Sequence, residues 1–227
     1  MRSKIKLVMA VNFSTQKFFN EVPDLVDKYT SNESRKKTVT ILGSATNSKA
    51  LEEYMDMCAE VTEGLVKNGY NILSGCGSHG IMGTAYEEAK KHSAVDMNGR
   101  PIQNLTILVE PGWGDEDLKH CVPIGKAKSE AERIDKFFKT SDNFVVFPGG
   151  STTLQEATSL INFKKHLEDS APVKKIILVG KDFFDGLLKQ YETIFRFNPD
   201  WYKPPESLFK ILNTPKEILK EFPKLLK

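Results

Sequence analysis

Cysteine is scarce in this chain: 227 residues hold three, Cys58, Cys76 and Cys121, with no Cys-x-x-Cys spacing. An odd, dispersed set argues against a disulfide framework and against a cysteine-built zinc site. The four histidines, His79, His92, His120 and His166, are scattered and form no His-Glu-x-x-His, so no protein-bound catalytic metal is expected. Excess charge of one sign is also missing. With 32 Lys and Arg against 30 Asp and Glu, the net charge is +2, too little to point to nucleic acid or an anionic membrane as partner. The basic triplet Arg35-Lys36-Lys37 reads as solvated surface. No apolar run approaches the roughly 18 residues that a membrane span requires. Residues 4–11 are basic and briefly apolar, but the run is too short for a secretory signal and Asn12 interrupts it. These absences lead to the expectation of a cytoplasmic protein with no membrane and no nucleic-acid partner.

What remains is an ordinary globular composition, 40% hydrophobic and 27% charged, in a length that suits one α/β domain with a small appendage. The appendage is residues 1–36: a short strand near the start, a helix around 18–29, and a polar linker over 30–37. The domain proper, 37–227, then alternates regularly. Thr38–Leu42 is a buried strand stopped by Gly43. Residues 49–68 are an amphipathic helix with Leu51, Tyr54, Met55, Cys58, Val61 and Leu65 on one stripe, which makes Cys58 a core residue. Strands follow at 70–73, 105–109, 144–147 and 176–179, with an edge strand at 208–211. Helices are expected at 81–91, from near Ser129, at 153–167 and 183–195, and after Thr214, where Thr-Pro-Lys-Glu combines an N-cap, a first-turn proline and a box glutamate. Continuous apolar strands alternating with helices specify an α/β fold: a doubly wound, Rossmann-like parallel sheet with helices on both faces. Ligands of such sheets sit beyond the carboxyl ends of the strands.

Two glycine-rich turns fall at those ends. Gly75-Cys76-Gly77-Ser78-His79-Gly80 follows a strand and opens a helix; it matches Gly-x-Gly-x-x-Gly, but no strand-ending acid stands about 20 residues further on, as a dinucleotide site needs. It is not a Walker sequence, because Ile81-Met82 stand where Lys-Ser/Thr is required. Here Gly75, Gly77 and Ser78 are candidate binding residues, through backbone amides at a helix start. The alternative is a turn that is glycine-rich only for tight packing, and Cys76 is not read as a nucleophile. The other turn is Pro148-Gly149-Gly150-Ser151-Thr152-Thr153-Leu154-Gln155-Glu156. Gly149, Gly150, Ser151, Thr152 and Thr153 form a cradle suited to phosphate, and Glu156 lies about one turn into the following helix. Thr153-x-x-Glu156 also fits a plain capping box. Gly43 and Ser44 end the first strand near the same edge.

Residues 141–156, with Arg133 eight residues before Ser141, resemble the LOG ("Lonely guy") family, long labelled "lysine decarboxylase-like", whose signature is Pro-Gly-Gly-x-Gly-Thr-x-x-Glu preceded by an Arg-Lys pair. The similarity spans about residues 37–195. Thr152 stands at the third glycine, Ile134 at the lysine, Ala131 at a usual histidine, and Asn162-Phe163 at a Thr-Trp pair. The resemblance implies a Rossmann-like sandwich, commonly dimeric, that cleaves the N-glycosidic bond of a nucleoside 5′-monophosphate such as AMP into free base and ribose 5-phosphate. It implies Arg133 and Glu156 as catalytic residues, Gly149, Gly150 and Thr153 as the phosphate turn, and no cofactor. A homo-oligomer is expected, with Leu160, Ile161 and Phe163 extending the site toward a partner chain unless they are core. Two other functions compete: a non-catalytic nucleotide-binding or cofactor-carrier protein of the same fold, and a dinucleotide-dependent oxidoreductase resting on Gly75–Gly80.

Overall fold

The computed structural model describes residues 24–97, 99–110, 118–166 and 173–225. The expected N-terminal strand and the first part of the helix at 18–29 lie outside the described residues. Seven parallel strands form one sheet: β1 Thr38–Leu42, β2 Asn71–Ser74, β3 Asn104–Val109, β4 Val122–Ala127, β5 Asn143–Val146, β6 Lys175–Val179 and β7 Lys210–Leu212, in the order β4-β3-β2-β1-β5-β6-β7. The helices are α1 Asn32–Lys36, α2 Glu52–Lys67, α3 Gly80–His92, α4 Glu130–Thr140, α5 Ser151–His166, α6 Lys181–Phe197, α7 Pro205–Leu208 and α8 Pro215–Lys220.

Because side chains alternate across a strand, each apolar run feeds two cores. Val39 and Ile41 of β1, with Val145 of β5 and the adjoining Phe147, meet Cys58, Val61 and Leu65 of α2, Ile81 of α3 and Ile218 of α8. Leu42, Phe144 and Val146 point the other way, onto Phe137 and Phe138 of α4, Leu160 and Ile161 of α5 and Phe184 of α6. Phe144 and Phe147 are both fully buried, on opposite faces of the sheet; each contributes roughly 2–3 kcal/mol by leaving water. Cys58 is core as expected, and burial pushes its thiol up to about 12.

One strand is not evident in the sequence. Val122–Ala127 carries Pro123 and Gly125, which read as a break. The strand survives because it is an edge, where a missing N–H is tolerated, and because the pairing with β3 shifts register between Thr106 and Ile107, opposite Pro123 and Gly125. The segment before β1 covers this edge. Leu25 N–H donates to Ile124 O at 2.7 Å, and a Cβ on Gly125 would stand 2.4 Å from Val26 Cγ2. The stretch expected as polar linker holds α1, capped by Ser31 and tied to β5 by the ion pair of Arg35 with buried Asp142.

The strand order reverses between β1 and β5, which pair in register from Val39↔Asn143 to Leu42↔Val146. At such a reversal the connecting helices leave toward opposite faces and the loops part, opening a crevice at the carboxyl ends.

Candidate functional site

The floor of the crevice is built from the ends of these two strands. Phe147 N–H donates to Leu42 O at 2.8 Å, and Ser44 N–H to Pro148 O at 3.2 Å, so the two chains remain paired just past the sheet. Gly149 must be glycine: a Cβ there would lie 2.2 Å from Thr153 Oγ1 and 2.8 Å from Ser44 N. Gly75 lies against the arginine: a Cβ there would stand 2.9 Å from Nη1 of Arg133 and would displace the guanidinium. A cavity of about 420 Å³ opens above this floor, walled by the first turn (Gly43, Ser44, Ala45, Thr46), the second (Gly75, Gly77, Met82), α4 (Glu130, Arg133) and the start of α5 (Gly150, Thr152, Thr153, Gln155, Glu156).

The two helix starts differ in what they leave open. At α3, Gly80 N–H donates to Asn47 Oδ1 at 2.8 Å and Ile81 N–H to Ser44 O at 2.9 Å. Two of the amides at this helix start are thus taken within the chain. At α5 the first i−4 bond is Leu154 N–H to Gly150 O, 3.2 Å, so the amides of Ser151, Thr152 and Thr153 have no acceptor within the helix. The positive end of the helix dipole adds to their pull on an anion. The capping-box alternative for Thr153 and Glu156 does not hold. The helix begins at Ser151, which puts Thr153 inside the first turn rather than at the N-cap, and Glu156 turns into the cavity wall.

Arg133 and Glu156 come together although they stand on different helices. Both are buried, at 8% and 6% exposure, with Nη2 of Arg133 3.8 Å from Oε1 of Glu156. The same Nη2 lies 2.6 Å from Oε2 of Glu130, one turn earlier on α4. The guanidinium also stands over the Phe137 ring, 5.7 Å from its centroid, and its buried Nε has no hydrogen-bond partner among the described residues. Burial pushes the Glu156 carboxyl up to about 7; the Arg133 charge opposes this and the Glu130 charge adds to it. A carboxyl that exchanges its proton near neutrality, against a fixed cation, can serve as acid or base.

Of the residues expected from sequence, Gly43, Ser44, Gly75, Gly77, Gly150, Thr152, Thr153, Arg133 and Glu156 line the cavity, while Ser78, Gly149 and Ser151 do not. Ser78 instead bonds His79 Nδ1 at 2.7 Å, and the Ser44 hydroxyl is engaged by Thr46. Thr46, Met82, Glu130 and Gln155 were not anticipated. Leu160 and Ile161 are fully buried core and are not available to a partner chain. Phe163 is half-buried against Phe138, with ring centroids 4.6 Å apart, in a second groove of about 510 Å³ between α4 and α5 that also shares Gln155. Among the described residues one group has metal-ligand spacing: Glu63, Glu88 and His92, with ligand atoms within 4.8 Å. It sits at the C-terminal ends of α2 and α3, and Lys67 and Lys91 already pair with the two glutamates.

Comparison with known proteins agrees with this architecture. Solved structures that share the fold include the molybdenum cofactor carrier protein of Chlamydomonas reinhardtii, at 16% identity and a TM-score of 0.56 over 82% of this chain and 96% of that one, and the molybdenum cofactor binding protein of Rippkaea orientalis, at 19% identity and a TM-score of 0.55 over 82% and 95%. At these identities the likeness is one of fold. In sequence, the chain is 27% identical over 159 residues to the probable cytokinin riboside 5′-monophosphate phosphoribohydrolase LOGL3 of Oryza sativa subsp. japonica, covering 69% of each chain. A family profile described as "Possible lysine decarboxylase" matches residues 60–222. That span runs from α2 through α8 and takes in the second glycine turn, Arg133, the 148–156 turn and Glu156, so the chain belongs to this family, the LOG family.

Proposed function

We propose that this protein hydrolyses the N-glycosidic bond of a nucleoside 5′-monophosphate, AMP or a close analogue, releasing free base and ribose 5-phosphate. The observation that carries the reading is the buried Arg133–Glu156 pair, 3.8 Å apart, set beside a helix start whose first three amides lack an intrahelical acceptor. The 5′-phosphate docks on the amides of residues 151–153 with the Thr153 hydroxyl close by, which fixes the ribose in front of Glu156. Cleavage of the glycosidic bond passes through an oxocarbenium-like state. The ionised Glu156 stabilises that cation and accepts a proton from the attacking water. Arg133 holds substrate oxygens or the departing base while keeping Glu156 in place. The scheme needs no metal or cofactor. The family membership and the name of the rice relative support the same chemistry. The reading includes a homodimer joined near the Phe163 groove, in the cytoplasm.

A second reading has one observation in its favour. Nη2 of Arg133 is closer to Glu130 than to Glu156, 2.6 against 3.8 Å, and an arginine held that way suits a pocket that binds without cleaving, a nucleotide or cofactor carrier. Incubation with a panel of nucleoside monophosphates separates the two. A hydrolase releases free base from at least one of them; a carrier binds and returns the ligand intact, and that result would retire the hydrolytic scheme.

A further inference from the structure

Beneath the crevice lie two buried thiols that the hydrolytic scheme does not use. Cys76 sits in the second glycine turn and Cys121 immediately precedes β4, 45 residues later, yet their Sγ atoms are 3.0 Å apart. Non-bonded heavy atoms rest at about 3.5–4.0 Å, and an S–S bond is about 2.05 Å. Cys76 also has a φ of 67° and is the one non-glycine residue in the left-handed region among the described residues. Glycine takes that conformation without strain, and glycines flank the position on both sides. What cysteine brings there is its sulfur, and the backbone aims that sulfur at the other thiol. Tyr86, Leu108 and Leu118 enclose the pair, and the Tyr86 hydroxyl is anchored on Leu105 O at 2.7 Å. The third cysteine, Cys58, belongs to a different core cluster, among α2 and α3 side chains.

We propose that Cys76 and Cys121 are an oxidation site for hydroperoxides, closing to a reversible intrachain disulfide that clamps the second glycine turn to the base of β4. One thiol attacks the peroxide oxygen, giving a sulfenic acid and releasing the alcohol, or water when the oxidant is hydrogen peroxide. The second thiol then displaces water from the sulfenic sulfur. In sum, two thiols lose two electrons and two protons, one hydroperoxide is reduced, and one S–S bond forms. Both sulfurs are shielded from solvent, so the reaction proceeds through local opening of the turn. Closure draws the two sulfurs about 1 Å closer, a movement shared between the turn and the base of β4. Gly75 abuts the Arg133 guanidinium, so the displacement reaches the cavity wall, where about 1 Å can cost on the order of 100-fold in a positioned reaction.

The test uses the full-length reduced protein, treated with hydrogen peroxide, quenched, denatured and alkylated with N-ethylmaleimide. Untreated chains take three labels. Oxidised chains take one, on Cys58, and yield a cross-linked peptide joining residues 76 and 121 that dithiothreitol separates. Cys58→Ala still forms the bond and Cys121→Ser does not. In hydrogen–deuterium exchange, amides of residues 75–80 slow by at least severalfold on oxidation and recover on reduction. Three labels after peroxide, sulfinic acid at Cys76 in place of the bond, a bond between chains, or a bond that leaves exchange at 75–80 unchanged would each overturn the proposal. None of these readouts uses turnover, so the result is independent of the hydrolytic reading.

Discussion

Replacing Glu156 by glutamine should stabilise the protein at neutral and alkaline pH and leave it unchanged near pH 4.5. In the folded chain the carboxyl is raised from the ordinary 4.5 to about 7 by burial. Folding therefore favours the protonated form. The contribution of this group to stability is fully present below about 4.5 and is lost as pH rises through about 7. At 1.36 kcal/mol per pK unit, the loss amounts to about 3 kcal/mol by pH 9. Glutamine has the shape of the protonated acid and never ionises, so Glu156→Gln keeps that contribution throughout. Urea denaturation of both proteins from pH 4.5 to 9 gives the difference directly, and the other titrating groups cancel in it. The curves should coincide near pH 4.5 and diverge by about 3 kcal/mol at pH 9, equivalent to roughly 6–12 °C in melting temperature for a chain of this size. A difference that stays flat across the range would mean that Glu156 is ionised throughout and that burial does not control it. The same substitution removes the proposed catalytic charge, so it should trade activity for stability, as charged groups placed in dry sites for function commonly do.

Three further outcomes follow from the geometry. In steady-state assays with AMP, Glu156→Gln should lose at least about 100-fold in kcat with the affinity nearly kept, and Arg133→Ala should lose turnover and some affinity, the two effects being far from additive in the double variant. Gly149→Ala should destabilise by roughly 1–3 kcal/mol in urea, because its Cβ has no room between Thr153 Oγ1 and Ser44 N, and should weaken phosphate binding by calorimetry. Arg35→Ala leaves Asp142, 5% exposed, without its cation and should cost about 3 kcal/mol; adding Asp142→Asn should recover most of it, and a failure to recover would assign the loss to packing.

The parts of the fold that local patterns encode were legible in the sequence. The run at Thr38–Leu42 is buried on both sides, and the Thr214 box forms with both of its reciprocal bonds. The glycine turns fall at strand ends because only a parallel sheet puts helix starts there. What was illegible depends on contacts between distant residues. β4 hides behind Pro123 and Gly125, and its place is secured by an edge position and by Leu25. Glu130 looks like any acidic residue in a first helical turn, where the dipole favours it; only the approach of α5 to α4 shows that it shares Arg133 with Glu156. Nothing in a glycine motif shows that Asn47 and Ser44 will fill the amides of Gly80 and Ile81, because those partners come from a distant turn.

Those filled amides set a limit on cargo. On the proposed function, a ligand with one phosphate seats on the start of α5, where the amides of residues 151–153 have no acceptor within the helix. A ligand carrying a pyrophosphate bridge, or two phosphates set far apart, would have to displace the Asn47 side chain or the Ser44 carbonyl to gain a second seat, and would have to leave a buried backbone donor or acceptor unpaired in doing so. On the proposed function, the crevice therefore favours a ligand with a single phosphate.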